Sequence, residues 1–199
     1  MKYCSTSDIV PRLIALGKEG AVPLRVAALT ALAGIGREAS SALPSVYAAM
    51  RDGDGDVRAA AIQAMPAIES DDAKAIAALL PGLSDDIGRV RRPTAAALSK
   101  FGERARAATP GLVAMLERDT DRGVAMLALK VIGVRSVPDL LRALSMKEPQ
   151  VRVFACEQLS ALGAEARDAV PRLKELAGDQ PKAVKDAALA ALAKIEPPQ

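Results

Sequence analysis

The chain has 199 residues, a net charge of +3 with a pI near 9.0, and a composition that is half hydrophobic yet only 2% aromatic. That is enough apolar material for one domain or a short repeat array, but too few aromatic rings for base stacking. Histidine is absent, which excludes His-based acid–base work, catalytic triads and His metal sites, and no run of about 18 uncharged apolar residues exists to span a membrane.

Taken in chain order, the segments fall into alternating kinds. The opening MKYCSTSDIVPR lacks the apolar stretch of a signal peptide, so a cytoplasmic protein is expected. Two cysteines, Cys4 and Cys156, without CxxC spacing agree with a reducing compartment. From there a Pro-bearing apolar stretch precedes a longer amphipathic one, and the alternation repeats. The Pro-bearing stretches are IVPRLIAL (9–16), ALPSVYAAM (42–50), AIAALLPGL (75–83), TPGLVAML (109–116), SVPDLLRAL (136–144) and AVPRLKEL (169–176). Pro11, Pro44, Pro110, Pro138 and Pro171 share one register, and the third stretch has Ala77 there with Pro81 four residues later. Proline suits a first helical turn, where its missing N–H has no helical partner to lose.

The longer stretches are LRVAALTALAGIG (24–36), VRAAAIQAMPAIE (57–69), VRRPTAAALSKFG (90–102), DRGVAMLALKVIG (121–133), VRVFACEQLSALG (151–163) and VKDAALAALAKIE (184–196). Their second position reads Arg25, Arg58, Arg91, Arg122, Arg152, Lys185, at separations of 33, 33, 31, 30 and 33 residues. Apolar residues recur at helical spacing, as in Leu24, Ala28, Leu32 and Ile35. Self-similarity at this period predicts an all-α stack of six helix pairs in a single domain over 1–199, at approximately 7–36, 39–69, 72–102, 105–133, 136–163 and 166–196. The turn after Gly133 is three residues short and the turn before Asp121 two short, so the fourth pair is expected to be irregular.

The pattern AxxxxxxxPxLxxL…D…VRxxAxxAL…IG, visible from Ala166 to Ile195, resembles the HEAT-like repeats of the phycobilisome-lyase type over almost the whole chain. The resemblance implies a right-handed α-solenoid, a superhelix of antiparallel pairs with the second helices lining its concave face. It also implies protein binding as the usual role, with bilin lyases and DNA-binding folds as less frequent ones.

Several motifs have plainer readings. Asp52, Asp54 and Asp56 echo a calcium loop, but Val57 and Gln63 stand where its Gly and Glu belong. Gly34, Gly36 and Ala39 match GxGxxA after a helix rather than a strand, which is a helix end and not a dinucleotide site. Cys156 shares a column with Leu29, Ile62, Met126 and Leu189 and is expected in the core. No catalytic residue, metal site or cofactor is expected. An acid six residues before the basic column pairs Glu19 with Arg25, Asp52 with Arg58, Asp85 with Arg91 and Asp179 with Lys185. Its repetition points to a structural ladder from turn to helix.

Two features point to partners. Arg89, Arg91, Arg92, Lys100, Arg104 and Arg106 stand against one acid, Glu103, with Arg92 and Lys100 projecting from the core stripe. Val124, Leu127, Val131 and Val134 add a second apolar stripe to the fourth long helix, which Val153 and Phe154 could extend; either the shortened turn draws the following helix over it or it is an exposed patch for a partner. The expectation is a non-enzymatic adaptor that binds another protein, with Arg92, Lys100 and Lys130 selecting acidic residues. A nucleic-acid-binding solenoid and a bilin lyase-like subunit are the alternatives. The last helix, KDAALAALAKI, lacks a strongly polar outer face, so a terminal repeat is free to stack on another chain, a homo-oligomer included.

Overall fold

A computed structural model describes residues 5–178 and 181–196. Among these there is no strand, and from α3 onward the helices alternate short and long as the periodicity predicts, whereas α1 is as long as α2. In order they are α1 (Thr6–Glu19), α2 (Val22–Ile35), α3 (Leu43–Ala49), α4 (Gly55–Ile68), α5 (Asp72–Leu79) and α6 (Gly88–Ser99). Then come α7 (Thr109–Met115), α8 (Asp119–Ile132), α9 (Val137–Leu144), α10 (Pro149–Leu162), α11 (Val170–Leu176) and α12 (Lys182–Ile195). The residues form two compact units, dividing between Ala108 and Thr109.

In the first unit α2, α4 and α6 pack side by side, with α1 and α3 against α2 and α4. The seam is made of small residues: Ala59, Ala60, Ala61 and Ala64 of α4 are all buried. Alanine both favours helix and lets neighbouring axes come close, so the composition sets the packing. Leu29, Leu32, Ile62, Met65 and Leu98 fill the space beneath. The second unit repeats the plan with α10 on α12, α9 on α10, and α7 on both α8 and α9. Its centre holds Leu112, Met115, Leu129, Phe154 and Leu159, all fully buried.

The connections follow from local chemistry. Four long helices or their immediate continuations end at a glycine with positive φ: Gly36 (72°), Gly102 (54°), Gly133 (75°) and Gly163 (55°). That conformation costs an L-residue free energy and glycine nothing, so it stops the helix. After three of these glycines a 3₁₀ segment bends at a buried alanine, Ala39, Ala105 or Ala166, and delivers the chain to the next proline. Pro44, Pro138 and Pro171 then sit in the first two positions of their helices, and Pro110 is the second residue of α7. Pro11 differs: α1 begins one turn earlier, so this proline lies inside the helix. In the third pair Pro81 ends the α-helical run at Leu79 and turns the chain into a 3₁₀ segment. After Gly133 there is no such segment; Ser136 caps α9 directly by accepting from the Asp139 N–H at 3.4 Å. No helix among the described residues is long and apolar enough to cross a membrane.

Candidate partner-binding surface

The basic column is placed by backbone geometry. Arg58 donates to the carbonyls of Asp52 (2.8 Å) and Gly53 (3.1 Å), and Arg91 to those of Asp85 (2.6 Å) and Asp86 (2.9 Å). Arg122 donates to the Leu116 carbonyl (3.1 Å), and Arg152 to those of Met146 (3.0 Å) and Lys147 (2.6 Å). The residue six positions upstream is therefore met through its carbonyl, which corrects the expected side-chain pairing within a repeat. It also explains why Leu116 and Met146 serve as well as aspartate.

The carboxylates instead reach back one repeat. Asp52 pairs with Arg25, and Asp85 takes Arg58 through two bonds, 2.7 Å from Nε and 3.0 Å from Nη2. Glu148 approaches Arg122 at 3.9 Å. For Arg25 and Arg58, stacking puts the acid of the following repeat beside the guanidinium, whereas Arg122 keeps a nearer acid in its own turn, Asp119 at 2.5 Å. Arg58 holds the Asp85 carboxyl below the usual carboxylate range, helped by the Ile87 N–H, and Asp85 in turn raises the Arg58 guanidinium. Lys185 is exposed, while Asp179 and Cys4 lie outside the described residues.

The basic cluster sorts into separate roles. Arg91 is buried in the ladder, Arg104 pairs with Asp72, and Arg106 with Glu103 at 2.7 Å. Arg92 on α6 and Lys100 just past its end are exposed, and Arg92 Nε also donates to the Gly88 carbonyl at 3.2 Å. With Arg89, Gln63, Pro93, Ala96 and Ala97 they line an open hollow of about 410 Å³ that contains no acidic side chain in its lining. Arg89 is tied at the edge to Asp56, 3.1 Å away.

The apolar stripe survives in shortened form. Leu127 is 64% and Val131 50% exposed on α8, with Val124 half-buried one turn earlier. Val134 and Phe154 do not belong to it. Gly133 ends α8, so Val134 leaves the helix face and turns inward to 4% exposure; the Phe154 ring is buried to 1% beneath α10. Burying a large apolar ring is strongly favourable, and Phe154 packs under a hollow of about 310 Å³ lined also by Met126, Lys130, Val153 and Glu157. Val153 is half-buried there, and Lys130 faces Glu157 at 3.9 Å, so its charge is partly met within the unit.

Two further groups escaped the sequence reading. Tyr47 donates to Glu69 at 2.8 Å, and Glu69, itself buried, also accepts from the Asp71 N–H at 3.0 Å. Those bonds lower the Glu69 pKa, while burial and then Glu69 push Tyr47 up to about 12. Asp121 is fully buried at the place where Val57, Val90, Val151 and Val184 stand in other repeats. Cys156 is buried, and desolvation pushes its thiol up to about 11, so it is core rather than nucleophile. No group of three or more potential metal ligands occurs among the described residues.

A family model described as HEAT repeats matches three overlapping stretches, residues 9–99, 43–133 and 109–193. The chain belongs to the HEAT repeat family. Its fold class is an α-solenoid, and the narrower phycobilisome-lyase resemblance gains no support, because the matching model is that of HEAT repeats in general. Solved structures agree on the fold. A designed armadillo repeat protein in complex with the peptide (KR)4 is similar at TM-score 0.58 and 18% identity, over 94% of this chain and 99% of that one. Computationally designed armadillo repeat proteins for modular peptide recognition give 0.57 and 20%, over 93% and 99%. A chain from the structure of Kap95p binding to RanGDP gives 0.66 and 15%, over 96% of this chain and 31% of that one. No curated protein sequence matches the chain.

Proposed function

We propose that this HEAT repeat protein is a non-enzymatic, cytoplasmic scaffold that binds partner proteins through the exposed side of its second helices. The first unit takes acidic residues of the partner and the second takes apolar ones. The observation that carries the reading is the hollow beside α6, where Arg92 and Lys100 stand exposed next to Arg89, which Asp56 pairs at the edge. Cations gathered on a shared wall raise the local concentration of an anionic segment and speed its arrival. On the second unit, Leu127 and Val131 are large apolar side chains left in water on adjacent turns, a feature typical of contact sites. Structural neighbours built for peptide recognition support this use of the solenoid face.

The test is fluorescence anisotropy with a labelled peptide of mixed Glu and Leu, on wild type, Lys100→Glu and Leu127→Asp. Charge reversal at Lys100 is expected to weaken binding about tenfold or more at low salt, and Leu127→Asp to remove the apolar contribution, with helical spectra unchanged. Binding indifferent to both substitutions overturns the assignment of this face. The same three cations admit duplex nucleic acid as a second reading. That reading requires a steep fall of duplex affinity with salt, which a flat response excludes.

A further inference from the structure

The first and last described repeats expose complementary faces, one on α1–α2 and one on α12. We infer that the α12 face of one copy seats on the α1–α2 face of a second copy, head to tail. The argument rests on two helix columns. At the first position of the long helices, Val57, Val90, Val151 and Val184 are fully buried, whereas Leu24 of α2 is 52% exposed. At the sixth position, Leu29, Ile62, Ala95 and Cys156 are buried and Met126 is half-buried, whereas Leu189 of α12 is 46% exposed.

The first column thus looks toward the preceding repeat and the sixth toward the following one. Each is open in this structure on one outer repeat, at Leu24 of α2 and at Leu189 of α12, and each keeps a full-sized leucine there. Neighbouring positions agree. Ala31 is exposed where Ala64, Ala97, Ala128 and Ala191 are buried, and Leu16 of α1 is exposed where Met115 and Leu176 are buried. Leu192 is half-buried where Leu32, Leu98 and Leu159 are closed off.

Charge is complementary in the same register. Inside the chain an arginine in the second position meets an acid of the next repeat, as in Arg25 with Asp52 and Arg58 with Asp85. At the ends, Lys185 keeps the cation and Glu19 the acid, and both are exposed. Seating α12 on a second copy's α1–α2 is expected to place Leu189 against Leu24 and Lys185 against Glu19, the latter repeating the interior pairing of Arg25 with Asp52. The contact joins two different faces, so it is heterologous: each added copy leaves one free head and one free tail.

Light scattering after size exclusion, across protein concentration, tests this. Wild type is expected to rise above the 20.7 kDa of one chain with concentration. Leu24→Glu and Leu189→Glu are expected to stay at one chain each, with unchanged helical spectra because both side chains are exposed. Mixed in equal amounts they are expected to give two chains and nothing larger, since one retains only its tail and the other only its head. Lys185→Glu is expected to weaken association by about tenfold, and adding Glu19→Lys to restore it. A wild type that stays at one chain at every attainable concentration overturns the inference. So does a mixture of the two leucine variants that fails to pair while wild type associates.

Discussion

Replacing Asp85 by asparagine tests the reading that the ladder between repeats holds the first unit together. The Asp85 carboxylate accepts from Arg58 at 2.7 and 3.0 Å and from the Ile87 N–H at 2.9 Å, and both side chains of the ion pair are largely sheltered, 16% and 13% exposed. Asparagine keeps an acceptor for Ile87 but loses the paired charge, and it turns an N–H toward the guanidinium. A hydrogen bond to a charged group contributes about 1.5–3 kcal/mol, and residual exposure discounts the second bond, so a loss of about 2–3 kcal/mol is expected. For a chain of this size that lowers Tm by roughly 4–12 °C. The control is Glu103→Gln, whose pair with Arg106 is 74% exposed on the acid side and contributes less than about 0.5 kcal/mol. Thermal unfolding followed by circular dichroism measures both. The difference between wild type and Asp85→Asn also depends on pH. The folded-state pKa of Asp85 is depressed, so its contribution is complete above the unfolded value of about 3.9 and drains away as pH falls through the lower folded value. Equal melting of Asp85→Asn and Glu103→Gln at neutral pH would refute the reasoning.

Three further expectations follow from burial and backbone geometry. Phe154→Ala should cost about 3–5 kcal/mol and Val131→Ala less than about 0.5, read from urea unfolding, because the ring is enclosed and the valine is in water. Gly133→Ala should cost about 1–2 kcal/mol in the same assay through its φ of 75°, although a Cβ there meets no atom within 4 Å. Cys156, with its thiol pushed up to about 11, should resist a thiol reagent at pH 8 in the folded protein and react promptly once urea unfolds it.

The repeat pitch, the helix pairs and the apolar columns were legible because helical periodicity and close packing act on every repeat alike. The partner of each arginine was not. Sequence spacing suggests the nearest acid, six residues away, but the acid brought alongside belongs to the next turn of the stack, 27 residues on for Arg25 and Arg58. Val134 was misplaced because a helical wheel continues past Gly133 while the chain does not. Phe154 was misplaced because a column that is small and exposed at Ala27 becomes a buried ring in α10. The Tyr47–Glu69 pair carried one signal: Glu69 stands where four other repeats place a helix-ending glycine. A residue that replaces that glycine must close the helix by other means, and Glu69 does so with φ at −75° and its carboxylate held by Tyr47 and the Asp71 N–H.

What repeats in this chain and what varies therefore divide the labour. The arginine column bonds to carbonyls, which every residue supplies, so the turn beneath it is free to hold Asp85, Leu116 or Met146 without loss of the tie. Packing columns hold apolar residues, with the buried Asp121 the exception in the first column. The seventh position of the long helices is under neither constraint: Thr30, Gln63, Ala96, Leu127, Glu157 and Ala190 are all exposed. The eleventh is nearly as free, running from Gly34 through Lys100 to Val131. A surface whose fold is secured from beneath can change its chemistry residue by residue at little cost in stability. On the proposed scaffold function these positions would carry specificity, so Lys100 and Leu127, rather than any ladder residue, are where partner recognition should be probed first.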